Sequence, residues 1–103
     1  MNINKMMKQM QQAQQKMAAV QDELAGKTVE ATAGGGMVKV VMSGDGNLRS
    51  LEIEREVVDP EEIDMLQDLI VAAVNEGKRK SSELAAAEMQ KAAGGMGLPP
   101  GLV

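Results

Sequence analysis

The sequence contains no cysteine, no histidine and no aromatic residue among its 103 positions. Without cysteine the chain forms no disulfide bond and no thiolate metal site. Without histidine and cysteine it lacks the usual general base and the usual nucleophile of enzymes. These absences predict a protein that is not an enzyme, with no catalytic residue, metal site, cofactor or small-molecule substrate.

The lack of aromatic residues also limits the core, which must be built from Met, Val, Leu, Ile and Ala. Such a core lacks the large rings that usually dominate burial. A chain of this length forms one domain, and a single small domain buries only a modest fraction of its surface. We therefore expect a homo-oligomer, in which a partner chain completes the core.

The sequence has no apolar run of the roughly 20 residues that a membrane span needs, and no secretory apolar segment follows Met1. We therefore expect a cytoplasmic protein that has no membrane partner.

Charge is distributed unevenly along the chain, whose formal net charge is −4. Residues 1–21 contain three lysines and no acid, whereas residues 52–68 contain eight acids and one arginine. Apart from Arg55, the middle of the chain is acidic, and its two ends are neutral to basic. The acids at "DPEE" are interpreted as a helix start, where carboxylates complement the helix dipole, rather than as a cation site.

The opening segment predicts a helix with a packing seam. Apolar residues recur at alternating spacings of three and four, which is the a/d heptad pattern of a helix packed on another helix. Gly26 is the predicted stop. The seam comprises Ile3, Met6, Met10, Ala13, Met17, Val20 and Leu24.

The middle of the chain predicts three strands, "TVEATA", "MVKVVMS" and "LRSLEIE", in an antiparallel meander. "GGG" and "GDGN" are interpreted as the turns between them, because neither leads from a strand into a helix as phosphate-binding loops do. Asp59 and Pro60 then predict the start of a long helix. Its core stripe begins at Ile63, and beyond Gly77 it is expected to leave the core.

The predicted fold class is therefore α+β, with an N-terminal helix, a three-stranded antiparallel sheet and a long C-terminal helix. Residues 1–93 form the single domain, and residues 94–103, rich in glycine and proline, are predicted to be a flexible tail.

The run "KRK", residues 78–80, permits two interpretations. It is either a solvated helix face or, together with the lysines of the first helix, a surface that contacts DNA phosphates. Because the chain has no aromatic stacking platform, any nucleic-acid binding should favour duplex over single strands.

Four stretches in this order resemble the YbaB/EbfC family of bacterial nucleoid-associated proteins. They are "NKMMKQMQQAQQKM", "GGGMVKVVMSGDGNLRSLEI", "DPEEIDMLQDLIVAAVNEGKRKS" and "GMGLPPG", and together they cover essentially the whole chain.

The resemblance implies a tweezer-like homodimer that binds duplex DNA in the nucleoid, mainly through backbone contacts, and affects nucleoid organisation and gene expression. It implies that DNA is contacted by the projecting helices. By position and charge, the candidate DNA-binding residues are Lys5, Lys8, Lys16, Lys78, Arg79 and Lys80. The alternative is a coiled-coil protein-interaction adaptor that uses the Met/Gln helix and does not bind DNA directly.

Overall fold

The computed structural model describes residues 2–95 and has the predicted α+β architecture. In chain order its elements are α1 (Ile3–Gly26), β1 (Thr28–Ala33), β2 (Val38–Ser43), β3 (Leu48–Ile53), a 3₁₀ turn (Arg55–Val57) and α2 (Ile63–Gly95). The fold class is confirmed, and all three predicted strands form within one residue of their expected limits.

Helix α1 is capped at both ends. The Asn2 side chain accepts a hydrogen bond of 3.1 Å from the backbone N–H of Lys5, which satisfies a donor that has no partner inside the helix. At the other end, Arg49 Nη2 on β3 donates to the Ala25 carbonyl at 3.1 Å. The helix ends at Gly26, as predicted.

The three strands form one antiparallel sheet in the order β1-β2-β3. The β1–β2 turn uses Gly34, Gly35 and Gly36, all with positive φ, a conformation that side-chain-bearing residues rarely adopt. A Cβ on Gly34 would also lie 2.8 Å from Leu69 Cδ2, so this turn packs directly against α2.

The main core lies between α2 and the first two strands. Ala31 of β1 pairs with Val40 of β2, and both are buried beneath Ala73 of α2. Gly77 is the point of closest approach, because a Cβ there would lie 2.8 Å from Met42 Cγ and 2.9 Å from Val40 Cγ2. The Ser81 hydroxyl donates to the Ser43 carbonyl at 2.8 Å and fixes α2 against the end of β2.

A second core joins the two helices beyond the sheet. Val20 and Leu24 of α1 pack against the outer half of α2, at Leu84, Ala85, Met89 and Ala92. The expectation that α2 leaves the core beyond Gly77 is therefore wrong, since this half is covered by α1. The helices run antiparallel, and the molecule is elongated, with extents of 70 × 21 × 17 Å. We call the part of the molecule beyond the sheet, formed by α1 and the outer half of α2, the stalk.

The ends of α2 differ from their predicted positions. Asp59 accepts from the Glu61 N–H at 3.0 Å but caps only a turn, and the helix begins at Ile63, three residues after Pro60. Ile63 is 47% exposed and is not a core residue. At the other end α2 includes Gly94 and Gly95. Residues 96–103, the rest of the predicted tail, lie outside the described residues.

Strand β3 is not covered by either helix. All six of its residues are exposed. Leu51 and Ile53 lie opposite Val40 and Val38, so they share the sheet face on which α2 lies. Because α2 lies on β1 and β2, this apolar row extends past the helix. Within residues 2–95, no helix combines the length and apolarity that crossing a membrane requires.

Candidate nucleic-acid interface

The three lysines of α1 lie on one side of the helix. At 100° of rotation per residue, Lys5, Lys8 and Lys16 fall within an arc of about 80°. They line a helix that carries no acid before Asp22. Lys5 and Lys8 are exposed and Lys16 is half-buried. Among the described residues, none of the three forms an ion pair within 4.0 Å. Their ammonium groups are therefore available to an anionic ligand.

The lysines lie towards the free end of the stalk. Leu24 packs beside Leu84, and Lys8 is 16 residues further from the sheet, which corresponds to about 24 Å along α1. Glu61 and Glu62, in the acidic segment just before α2, lie at the opposite end of the molecule, beside the sheet. The elongated fold thus separates the positive and negative parts of an acidic chain.

The other side of α1 carries exposed apolar residues at the same end. The exposed fractions are 67% for Ile3, 47% for Met6, 56% for Met7 and 62% for Met10. We call these four residues the methionine face. The predicted packing seam is correct for Val20 and Leu24 but wrong for its first residues, which the described chain leaves uncovered. Their exposure could not be predicted because it depends on where α2 ends relative to α1.

Arg79 is occupied by two neighbouring carboxylates. Its guanidinium donates hydrogen bonds to Glu76, three residues earlier, and to Glu83, four residues later. The hydrogen bond with Glu76 lowers the pKa of that carboxyl and raises the pKa of the guanidinium. Sequence spacing contained this signal, because residues three and four apart on a helix are neighbours. A phosphate would have to compete with both carboxylates for Arg79.

Lys80 and Lys78 have different surroundings from Arg79. Lys80 Nζ donates to the Glu30 carbonyl of β1 at 2.8 Å, so it braces α2 against the sheet. Lys78 is exposed, and none of the described ion pairs includes it. The structure therefore does not bring the six candidate residues into one cluster. It places one exposed cation at the sheet end of the stalk and a set of three lysines towards its free end.

Within residues 2–95, no group of three or more acidic, histidine or cysteine side chains could hold a metal ion. The turn at Ser43, where the hydroxyl donates to Asp45 and accepts from the Asn47 N–H at 3.1 Å, is a structural turn at the end of β2.

Comparison with known proteins gives related sequences along nearly the whole chain. A protein described as "Nucleoid-associated protein" from Syntrophobacter fumaroxidans is 60% identical over 100 residues, which cover 93% of this chain and 91% of that protein. A second protein with this description, from Acetivibrio thermocellus, is 54% identical over 101 residues, covering 98% and 89%.

A solved structure shares the fold. The crystal structure of an uncharacterized protein from Helicobacter pylori matches with a TM-score of 0.74 at 22% identity, covering 81% of this chain and 87% of that one. At this identity the match shows the fold alone. The model of the YbaB/EbfC DNA-binding family matches residues 1–96, and the chain belongs to that family.

Proposed function

We propose that this protein is a nucleoid-associated homodimer that binds duplex DNA mainly through phosphate contacts and thereby affects nucleoid organisation and gene expression. Its location would be the nucleoid of a bacterial cytoplasm. The observation that carries the proposal is the free end of the stalk, where Lys5, Lys8 and Lys16 share one acid-free helix face. Membership of a DNA-binding family supports DNA as the ligand.

The arrangement suits a polyanion better than a small anion. The lysines follow the helix over about 16 Å and do not converge on one point, so they match a row of phosphates. Lysine ammonium groups contact phosphate as point charges and read no base sequence. Lys78 adds a cation further along the stalk. Arg79 and Lys80 are expected to contribute less, since both already have partners.

A homodimer is supported by the uncovered part of the sheet. The apolar row of β3 is 47% exposed at Leu48, 40% at Leu51 and 37% at Ile53. An apolar strand at a sheet edge invites pairing with another chain, and a second copy would cover it.

The adaptor function remains the second candidate because the methionine face is exposed. Such a face can dock into the groove of a partner protein. The two functions differ in their dependence on charge, since helix-in-groove binding relies on the apolar side chains. Lysine substitutions on the opposite side of α1 would leave it nearly unchanged.

The test is a gel-shift titration of a duplex by the full chain at several salt concentrations. Binding should weaken as salt rises, and Lys8→Gln should make the slope of log K against log salt less steep by about 0.9 for each subunit whose α1 contacts the duplex. Lys39→Gln is the matched control, because Lys39 lies on the sheet and pairs with Glu30 at 3.4 Å. No binding at low salt would overturn the proposed function, and equal effects of the two substitutions would overturn the assigned surface.

A further inference from the structure

Lys91, on the outer half of α2, is an exposed cation that the six candidate residues do not include. Its side chain is 75% exposed, and its Nζ lies 3.5 Å from Glu88 Oε1. The same oxygen accepts a hydrogen bond of 2.9 Å from Lys27, the residue that directly follows α1. Lys27 and Lys91 therefore lie on the same side of the stalk, although they come from different elements.

The lysines of α1 lie on this side of the stalk as well. Lys16 precedes Lys27 by eleven residues, or about three turns, so the two lie within about 20° of each other around the helix axis. Val20, four residues after Lys16, packs in the second core with Ala92, the neighbour of Lys91. Lys16 and Lys91 are therefore within about 8 Å of each other along the stalk, on helices whose axes pack about 8–10 Å apart.

Neither helix has an acidic side chain in the outer part of the stalk, which comprises residues 3–21 of α1 and 89–95 of α2. Glu88 borders this part, but it is nearly buried and already has Lys27 as a hydrogen-bond partner. The 3.5 Å between Lys91 and Glu88 is longer than the usual N–H···O hydrogen bond of about 2.7–3.2 Å. Lys91 can therefore turn to another anion without leaving the Glu88 carboxylate unpaired.

We propose that Lys91 contacts DNA phosphate beside Lys16, and that Lys27 leaves Lys91 free to do so by neutralising Glu88. This inference rests on the proposed DNA binding and extends the binding surface from α1 to α2. A duplex carries one negative charge per about 1.7 Å of its axis, so lysines on two neighbouring helices can contact different phosphates of the same duplex.

Lys27 acts here as a positioning residue. A nearly buried carboxylate that loses its partner is strongly unfavourable, so Glu88 needs one cation close by. While Lys27 fills that role, Lys91 is available to phosphate. Without Lys27, the cation that remains beside Glu88 is Lys91, and a phosphate would have to compete with the carboxylate for it.

The experiment titrates a duplex with the full chain carrying Lys91→Gln, at several salt concentrations. The slope of log K against log salt should become less steep by about 0.9 for each subunit whose stalk contacts the duplex. The melting temperature should stay close to that of the wild-type chain, because an ion pair of an exposed lysine contributes little to stability. Lys39→Gln is the matched control and should keep the wild-type slope, since Lys39 also lies 3.4 Å from a carboxylate but is on the sheet.

Lys27→Gln tests the positioning role. This variant should lose the same part of the salt slope as Lys91→Gln, because Glu88 then holds Lys91. The double substitution Lys27→Gln with Lys91→Gln should bind DNA like Lys91→Gln alone, since both changes remove one contact. Additive losses would mean that Lys27 contacts phosphate itself, and its positioning role would be wrong.

The outcomes separate this inference from the proposed function. If the wild-type chain binds the duplex and Lys91→Gln keeps its slope, or if Lys91→Gln and Lys39→Gln change the slope equally, the inference is overturned while DNA binding by α1 stands. If the wild-type chain does not bind even at low salt, the proposed function fails and this inference fails with it.

Discussion

At the scale of single residues, Glu88 holds the base of the stalk together. Its carboxylate is nearly buried and accepts from Lys27 Nζ at 2.9 Å, while Lys91 Nζ lies 3.5 Å from the same oxygen. The hydrogen bond from Lys27 lowers the pKa of Glu88, and the same bond raises the pKa of Lys27. Lys27 is the residue at which α1 passes into β1, so this pair ties that junction to α2.

The pair predicts a defined pH dependence of stability. Because the folded-state pKa of Glu88 is lowered, its contribution is present above the ordinary carboxyl value of about 4.3 and is lost as pH falls through the lower folded value. The raised pKa of Lys27 makes its contribution present below about 10.4 and lost as pH rises through the folded value. Glu88→Gln should therefore lower the melting temperature at pH 7, and this deficit should shrink as pH falls below about 4.3.

Thermal unfolding followed by circular dichroism across this pH range is the measurement. Glu83→Gln is the control on the same helix, since the Glu83 side chain is 67% exposed and should have little effect at any pH. A Glu88→Gln deficit of the same size at every pH down to acid unfolding would show that the side-chain shape at this position, and not its charge, stabilises the protein.

Gly77 shows how one missing side chain sets the distance between α2 and the sheet. Replacing glycine with alanine in a helix normally stabilises by about 1 kcal/mol. Here the added Cβ would lie within 3.0 Å of Met42 and Val40, both buried. Overpacking of this kind costs about 1–3 kcal/mol, so we expect Gly77→Ala to destabilise the protein overall.

Urea unfolding of Gly77→Ala and of Gly94→Ala separates these effects. A Cβ on Gly94 would meet nothing within 4 Å, so this second substitution should be neutral or slightly stabilising. Equal changes in the two variants would contradict the close approach at Gly77.

At the scale of the elements, local pattern predicted most of the fold but not which faces are covered. The helical spacing of α1, the valine-rich β2 and the glycine turns are local patterns of a few residues, and each element formed as predicted, although only Val20 and Leu24 of the α1 seam are buried. The exposure of Leu51 depends instead on which strands α2 covers, and the exposure of Met10 depends on where α2 ends along α1. The same distinction applies to the candidate DNA-binding residues. The ion pairs of Arg79 could be predicted from the spacing of Glu76 and Glu83, whereas the contact of Lys80 with Glu30 depends on tertiary packing.

The uncovered row of β3 predicts where the dimer forms. Leu51→Glu places a charge on this row and should weaken dimerisation at least about tenfold, since burying an unpaired carboxylate is costly. Ser50→Glu puts the same charge on the opposite face of the same strand and should leave the dimer intact. Sedimentation equilibrium of both variants provides the measurement. This interface would be contradicted if the wild-type chain were monomeric, or if the two variants showed the same oligomeric state in sedimentation.

At the scale of the whole molecule, the position of a charge should matter more for DNA binding than the net charge. The molecule is 70 Å long, whereas the Debye length is about 10 Å at 0.1 M salt. Acids at the sheet end are therefore screened from DNA at the free end of the stalk. This is how a chain of net charge −4 can bind a polyanion.

Two substitutions that each raise the net charge from −4 to −3 test this separation. Gln12 lies between Lys5 and Lys8 around α1, so Gln12→Lys adds to the lysine face and should steepen the salt slope by about 0.9 for each subunit whose α1 contacts the duplex. Glu62→Gln makes the same change in net charge at the acidic end and should leave both affinity and slope unchanged at 0.1 M salt. If the two variants bound equally well, the total charge would govern binding, and the free end of the stalk would have no special role.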